Sequence, residues 1–291
     1  MAISRRHHEV PRWLLRWFCF DSGESLWMGF VGSGEVKAVR IGDAFVRKDA
    51  NTRTDFEEQA DGSMKPVRSD RDENLLAQFD GAASSAARKL ITLARQHRDG
   101  VQIDSGPAQD TLETCKRLIV AQARRTRESQ DRVGFGEDQS EIVYEVAAKR
   151  AVALGETISS RAEMVGDPRF ADFVSTIEQN HRATFAGGSD PLDIQKEIGF
   201  LDPLGLHVAV IDSSTMEFVI GSHGTTIVPS GQGANTWLPL APDVAISFSD
   251  KPRHIGVGIC HDDFVERHNQ AVVESSKRIA GRTKQVVEDL L

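Results

Sequence analysis

Apolar and polar positions repeat along this chain with two different periods, and the switch between them divides it into regions. Leu26 to Val31 and Glu35 to Ile41 are short β-prone runs separated by Gly32-Ser33-Gly34, a turn composition that predicts a hairpin over 26–41. Arg47 to Arg68 is polar, carries Asp61-Gly62 and an isolated Pro66, and is expected as a long loop. The period then lengthens. Asp70 and Glu73 stand at capping-box spacing before Leu75, Leu76, Phe79, Ala83, Ala86, Leu90 and Leu93, which predicts a helix to about Arg98. Gly81 weakens that helix without stopping it.

Pro107 opens a second helical pattern through Leu112, Cys115, Leu118 and Ile119 to about Arg127, closed off by Gly134 and Gly136. Ile142, Val146, Ala147, Val152 and Ile158 mark a third helix, and Phe170 to His181 a fourth, so 70–200 is expected to be helical. From Leu206 the period falls to two. Short runs at 206–211, 216–220, 225–228, 236–240, 244–248 and 255–259 predict an antiparallel meander over 206–259. Val265, Val272, Ile279, Val286 and Leu290 then form one stripe, which predicts a long terminal helix over 262–290. Segregated helices and strands point to the α+β class, as a single domain over 1–291 whose N-terminal hairpin joins the meander.

Composition narrows the classes. Of 291 residues, 40% are hydrophobic and 27% charged, which argues against a disordered or fibrous chain. No run approaches the roughly 18 apolar residues of a membrane span, and Arg5 and Arg6 precede no apolar signal core, so a cytoplasmic protein without membrane contact is expected. Cys19, Cys115 and Cys260 are odd in number and form no Cys-x-x-Cys pair, which supports neither a disulfide framework nor a cysteine zinc site. Net charge is −8, against gross adhesion to nucleic acid. Two segments run the other way. Arg5, Arg6, Arg12 and Arg16 oppose only Glu9, and Lys116, Arg117, Arg124, Arg125 and Arg127 oppose no acid within 116–127. Brought together they would form a basic patch for a nucleic acid or phosphorylated ligand; apart, they are solvated faces.

Several polar side chains fall on apolar stripes. Gln122 lies four residues after Leu118, and Arg125 three further on, so both extend the buried face of the second helix. A buried guanidinium needs a carboxylate, a set of carbonyls or a bound anion. Asn269, four after Val265 and three before Val272, needs hydrogen-bond partners for the same reason. His8 precedes Pro11 and the cluster Trp13, Leu14, Leu15, Trp17 and Phe18; the proline restricts the backbone so that the imidazole is held in place. An anchored His serves as acid, base or ligand, and each of these groups can equally be a satisfied structural hydrogen bond.

These positions carry a resemblance. His8-Glu-Val-Pro11 with Leu15 and Phe18 resembles the His-x-x-Pro-x-x-x-Leu-x-x-Phe opening of the prokaryotic family known as domain of unknown function 4238. Asp72-Glu73 with the leucines after it, Gln122 with Arg125-Thr126, Pro239-Leu240 and Asn269 follow that family's pattern in order. Where the family usually shows Ser-Asp-x-Pro after a strand, this chain reads Ser222-His223-Gly224-Thr225, with His223 in place of the acid. The resemblance implies no known activity. By association alone, proteins of this type are sometimes effectors in prokaryotic antiviral defence, an expectation that rests on no residue.

Familiar chemistry is mostly missing. The chain has no Gly-x-x-x-x-Gly-Lys-Ser loop, no Gly-x-Ser-x-Gly elbow and no His-Glu-x-x-His pair. His7-His8-Glu9 and His261-Asp262-Asp263 hold metal-ligating atoms, but adjacent residues rarely face one ion, so no metal or cofactor is expected. The enzyme expectation takes His8 as general acid or base, Arg125 as anion clamp, Asn269 as the group that orients one of them, and His223 as a second titrating group. That set suits phosphodiester or phosphoryl chemistry, where a cation stabilises developing negative charge. The alternatives are a non-catalytic binding or interaction module built on a buried network, and nucleic-acid binding without turnover.

Overall fold

A computed structural model describes residues 6–48, 53–58, 64–69, 71–101, 109–125, 201–212, 215–230 and 233–291. The N-terminal segment forms β1 (Arg6–His8), the short helix α1 (Arg12–Leu15) and a 3-10 turn, followed by the hairpin β2 (Ser25–Phe30) and β3 (Glu35–Arg40). Gly34, at φ 68°, takes the left-handed turn position, and its N–H reaches the Phe30 carbonyl at 2.9 Å. β4 (Val46–Lys48) returns to pair antiparallel with β1.

Two long helices follow, α2 (Arg71–Arg98) and α3 (Gln109–Arg125). The α2 residues Ala83, Ala87, Leu90, Ile91 and Ala94 recur at three- and four-residue spacing and are buried. Its alanines let the helix lie close across a five-stranded sheet of β7 (Gly205–Ile211), β9 (Thr226–Ser230), β10 (Gly233–Ala241), β11 (Val244–Ser249) and β12 (Ile255–Cys260). Strand order is β12-β7-β11-β10-β9. Leu206, Val208 and Val210 alternate along β7 onto the helix-covered face, and Leu14, Leu15 and Phe18 of the N-terminal segment enter the same core. Truncating such a fully buried leucine to alanine costs roughly 2–5 kcal/mol. The end of α2 is tied to the β10–β11 turn by a fork from Arg95 to Asp243 at 2.7 and 2.8 Å, joined by Arg98 at 3.2 Å. Burial raises the Asp243 carboxyl pKa, but the Arg95 hydrogen bonds and charge outweigh it and hold the group below its ordinary value.

The α+β class stands, and three finer expectations are corrected. First, 206–259 is not wholly an antiparallel meander: β12 runs parallel to β7. Both sides of β11 are taken, by β7 and β10, so the chain crosses the end of β7 and lies on its far side. The crossing passes over Gly205, where any Cβ would collide with the Lys251 and His254 carbonyls.

Second, the terminal stripe is not one helix. It divides into α4 (Asp262–Ser275), β13 (Arg278–Gly281) and α5 (Lys284–Asp289). β13 pairs with β2 on one side and β8 (Ile220–Gly221) on the other, so the hairpin joins a separate four-stranded sheet, ordered β3-β2-β13-β8, and not the meander. A seven-residue apolar spacing fits a helix, but two ladders of sheet hydrogen bonds hold Ile279 and Ala280 extended. Gly29, Gly221 and Gly281 leave room for the flanking side chains of Val287, Leu291 and Ser276.

Third, the expected loop at 47–68 contains a ribbon, β5 (Arg53–Glu58) paired antiparallel with β6 (Met64–Ser69). Residues 216–219 form no strand; only Ile220–Gly221 do. The expected helices over 142–158 and 170–181, and the Asp70 cap, lie outside the described residues. Among the described residues no helix is long and apolar enough to cross a membrane.

The buried face of α4 presents Val265, His268, Asn269 and Val272. His268 is fully enclosed, with Phe218 5.0 Å away edge-on and Phe264 at 6.4 Å. Its Nδ1 lies 3.2 Å from Asn269 Oδ1, an acceptor, so Nδ1 carries the proton and Nε2 keeps a lone pair in apolar surroundings. Burial pushes its pKa down to about 4, against an ordinary value of 6.5. The unfolded chain therefore binds this proton and the folded chain refuses it, so stability falls as pH drops from about 6.5 toward 4. The expected loss between pH 7 and pH 4 is about 3 kcal/mol from this group, measured by urea unfolding. His268→Phe removes that component; an unchanged pH profile in the variant contradicts the assignment.

Candidate functional site

The site grows from the way β1 is held. His8 pairs with Val46, the Glu9 N–H donates to the Phe45 carbonyl at 2.9 Å, and Pro11, at φ −59° and ψ 140°, turns the chain into α1. His8 Nδ1 sits 3.2 Å from the Ala44 carbonyl oxygen. A carbonyl only accepts, so Nδ1 bears a proton, and whenever the ring is neutral its lone pair falls on Nε2, the tautomer of an oriented base. The segment that supplies both carbonyls is strained: Phe45 is fully buried at φ 49°, a left-handed conformation that costs a bulky residue on the order of 1–3 kcal/mol.

Glu9, 3% exposed, is the junction. Its carboxylate accepts from Arg278 Nη2 of β13 at 2.8 Å and lies 3.8 Å from Arg47 Nη1 of β4. Its backbone carbonyl accepts from Gln122 Nε2 of α3 at 2.8 Å. The Arg278 guanidinium also lies over the Phe45 ring, 5.4 Å from its centroid. One residue thus joins the N-terminal segment, the helical region and the four-stranded sheet.

Arg125, 4% exposed and one turn beyond Gln122, finds its partner in a carboxylate: Nη2 and Nη1 reach Asp80 of α2 at 3.0 and 3.3 Å. Lys116 is likewise enclosed. Its Nζ donates to the Leu201 and Leu204 carbonyls at 2.7 and 3.0 Å and pairs with Glu113 at 2.9 Å. The two basic segments do meet, through Gln122 and Glu9, but Lys116 and Arg125 spend their charge inside the fold and not on a surface patch.

His223 occupies the turn after β8, its N–H donating to Ser276 Oγ at 3.2 Å. Ser222 beside it accepts from the Lys277 and Arg278 N–H groups at 3.1 and 3.4 Å, and its own N–H donates to the Arg278 carbonyl at 2.8 Å. This turn therefore clamps the start of β13, the strand whose Arg278 grips Glu9. Asn269 stands apart from that set. It spans the 217–219 segment, donating to the Glu217 carbonyl at 2.8 Å and accepting from the Val219 N–H at 3.1 Å, while the Glu217 carboxylate takes the Thr283 N–H and hydroxyl at the start of α5. Asn269 also lines a cleft of about 530 Å³ with Met216, Arg267 and Asp289. The structure thus links the segments of His8, Gln122, Arg125 and His223 through Glu9 and Arg278, and puts Asn269 in a separate bridge.

Arg47, Asp80, Ser222 and Arg278 received no role from sequence reasoning, and Glu9 entered it only as a neighbour of His8 with metal-ligating atoms. Glu9 lies inside the His8-to-Pro11 motif, and the unmet charge of Arg125 called for a carboxylate such as Asp80. Arg278 was hidden by the helical reading of its segment. Burial pushes the Cys19 and Cys260 thiols up to about 11 and Cys115 up to about 12, the opposite direction from an activated thiolate. Asp212, Cys260, His261, Asp262 and Asp263 line a second cleft of about 530 Å³, but no group of three or more metal-ligating side chains is arranged for an ion among the described residues.

No curated protein and no solved structure matches the chain. A family model described as Protein of unknown function (DUF4238) matches residues 6–285, nearly its whole length, in keeping with the motif that opens at His8. The chain belongs to that family.

Proposed function

We propose that this protein is a phosphate-directed enzyme, acting on a phosphodiester or phosphorylated substrate, with His8 as the proton-transferring group. The observation that carries the reading is the Nδ1 bond to the Ala44 carbonyl, which fixes the tautomer and orientation of an imidazole that is only partly buried. The anion clamp is better given to Arg278 than to Arg125. Arg278 commits Nη2 to Glu9 and keeps a side chain 28% exposed, whereas the Arg125 fork is taken by Asp80. A guanidinium has five donors, so one carboxylate contact leaves others for a phosphoryl oxygen. A nucleic acid is one substrate of this class, and an effector role in antiviral defence would follow from turning it over.

A second reading is favoured by the closed Arg125–Asp80 pair and the Gln122–Glu9 bond: the same groups lock α3 to the N-terminal segment in a non-catalytic module. The two readings part on substitution. His8→Ala is expected to stay within about 1 kcal/mol of the parent in urea unfolding. Its turnover of bis-(para-nitrophenyl) phosphate or single-stranded RNA is expected to fall about a hundredfold or more. Cells carrying the variant should lose whatever protection against phage the parent confers. A folded His8→Ala protein with parental turnover, or a parent without turnover on either substrate, leaves the module. Arg125→Met is expected to cost about 2–4 kcal/mol of stability under both readings, because it leaves Asp80 without its partner.

A further inference from the structure

Natural sheets blunt their free edges with charge, proline or brevity, because an exposed row of N–H and C=O groups pairs with any extended chain. Three of the four edges of the two larger sheets follow that rule: β3 carries Glu35, Lys37 and Arg40, β9 contains Pro229, and β8 has two residues. The fourth does not. β12 reads Ile-Gly-Val-Gly-Ile-Cys, six residues with neither charge nor proline, at the end of the five-stranded sheet.

The register says which groups are open. The Leu206 N–H donates to the His254 carbonyl, and β12 pairs parallel with β7 from Ile255 opposite Leu206 onward. In a parallel ladder the backbone groups of successive residues point alternately to the two sides. Residues 254, 256, 258 and 260 therefore face β7, and Ile255, Val257 and Ile259 turn their N–H and C=O outward. Ile259 is in addition 45% exposed, a large apolar side chain at the rim of the core.

We propose that β12 is the interface through which two copies of this chain associate, by antiparallel pairing of the strand with itself. The outward residues set the register, Val257 opposite Val257 on the two-fold axis and Ile255 opposite Ile259, which satisfies every open backbone group and covers Ile259 with Ile255 of the second copy. Charge selects this occupant over an unrelated peptide. The exposed residues Lys251 and Arg253 precede the strand and the exposed residues Asp262 and Asp263 follow it. Antiparallel pairing brings the basic end of one strand, with Lys251 and Arg253, beside the acidic end of the other, where Asp262 and Asp263 open α4 and Asp263 also holds Arg267, so the edge is complementary to itself end for end. Gly256 and Gly258 add no side chain of their own to the other face of the strand, where the His254 and His207 rings lie close by.

Sedimentation equilibrium of the full chain across micromolar concentrations tests the proposal. The parent is expected to be a reversible dimer; Ile259→Lys is expected to weaken it about tenfold or more, and Lys251→Glu or Asp263→Lys several-fold each. The exchanged pair, Lys251→Glu with Asp263→Lys, is expected to recover most of the parental association. All of these positions are exposed, so unchanged circular dichroism separates loss of pairing from unfolding. A parent that stays monomeric throughout overturns the proposal, as does a dimer indifferent to Ile259→Lys and to the charge exchange.

Discussion

The carboxylate of Glu9 is the constraint on which the arrangement of this molecule turns. A carboxylate that is 3% exposed cannot remain ionised without compensation, and compensation comes from Arg278, near the other end of the chain, with Arg47 3.8 Å away. Arg278 reaches the carboxylate from β13, the strand that lies between β2 and β8. Through Gln122, α3 is tied to the Glu9 carbonyl as well. The imidazole of His8 inherits its position from this junction, being one residue away and tied to the strained segment at Phe45 that the Arg278 guanidinium covers.

Much of the local structure was legible before any coordinates. The α2 and α3 stripes, the β2–β3 hairpin and five strands beyond residue 205 stand where period and turn composition put them. Each shows a local period or turn composition in the sequence itself. What was not legible depends on long-range pairing. The Val272 and Ile279 spacing is compatible with a helix, and nothing local reveals that Ile279 will sit between two strands. The direction of β12 follows from which sides of β7 and β11 are already filled, a property of the whole sheet.

The candidate site shows the same division. Apolar-face logic picked out Gln122, Arg125 and Asn269 as groups in need of partners, and each has them. The identity of those partners was out of reach, since Asp80 lies 45 residues from Arg125 and Glu9 lies 113 from Gln122. Under the proposed reading, this moves the anion clamp from one guanidinium to another. Arg125 is bound inside the fold, and the guanidinium with donors to spare belongs to Arg278. His223, which stands where the resemblance leads one to expect an acid, neighbours the serine that holds the start of β13 and donates its own N–H to Ser276.

A double-mutant cycle on Glu9→Gln and Arg278→Met, followed by urea unfolding, tests the junction most directly. The account predicts that the two residues are coupled, with an interaction energy of about 2 kcal/mol, since each single change strands a buried or half-buried charge that the double change removes. Effects that add to within about 0.5 kcal/mol would contradict it, and would detach the placement of His8 from the end of the chain.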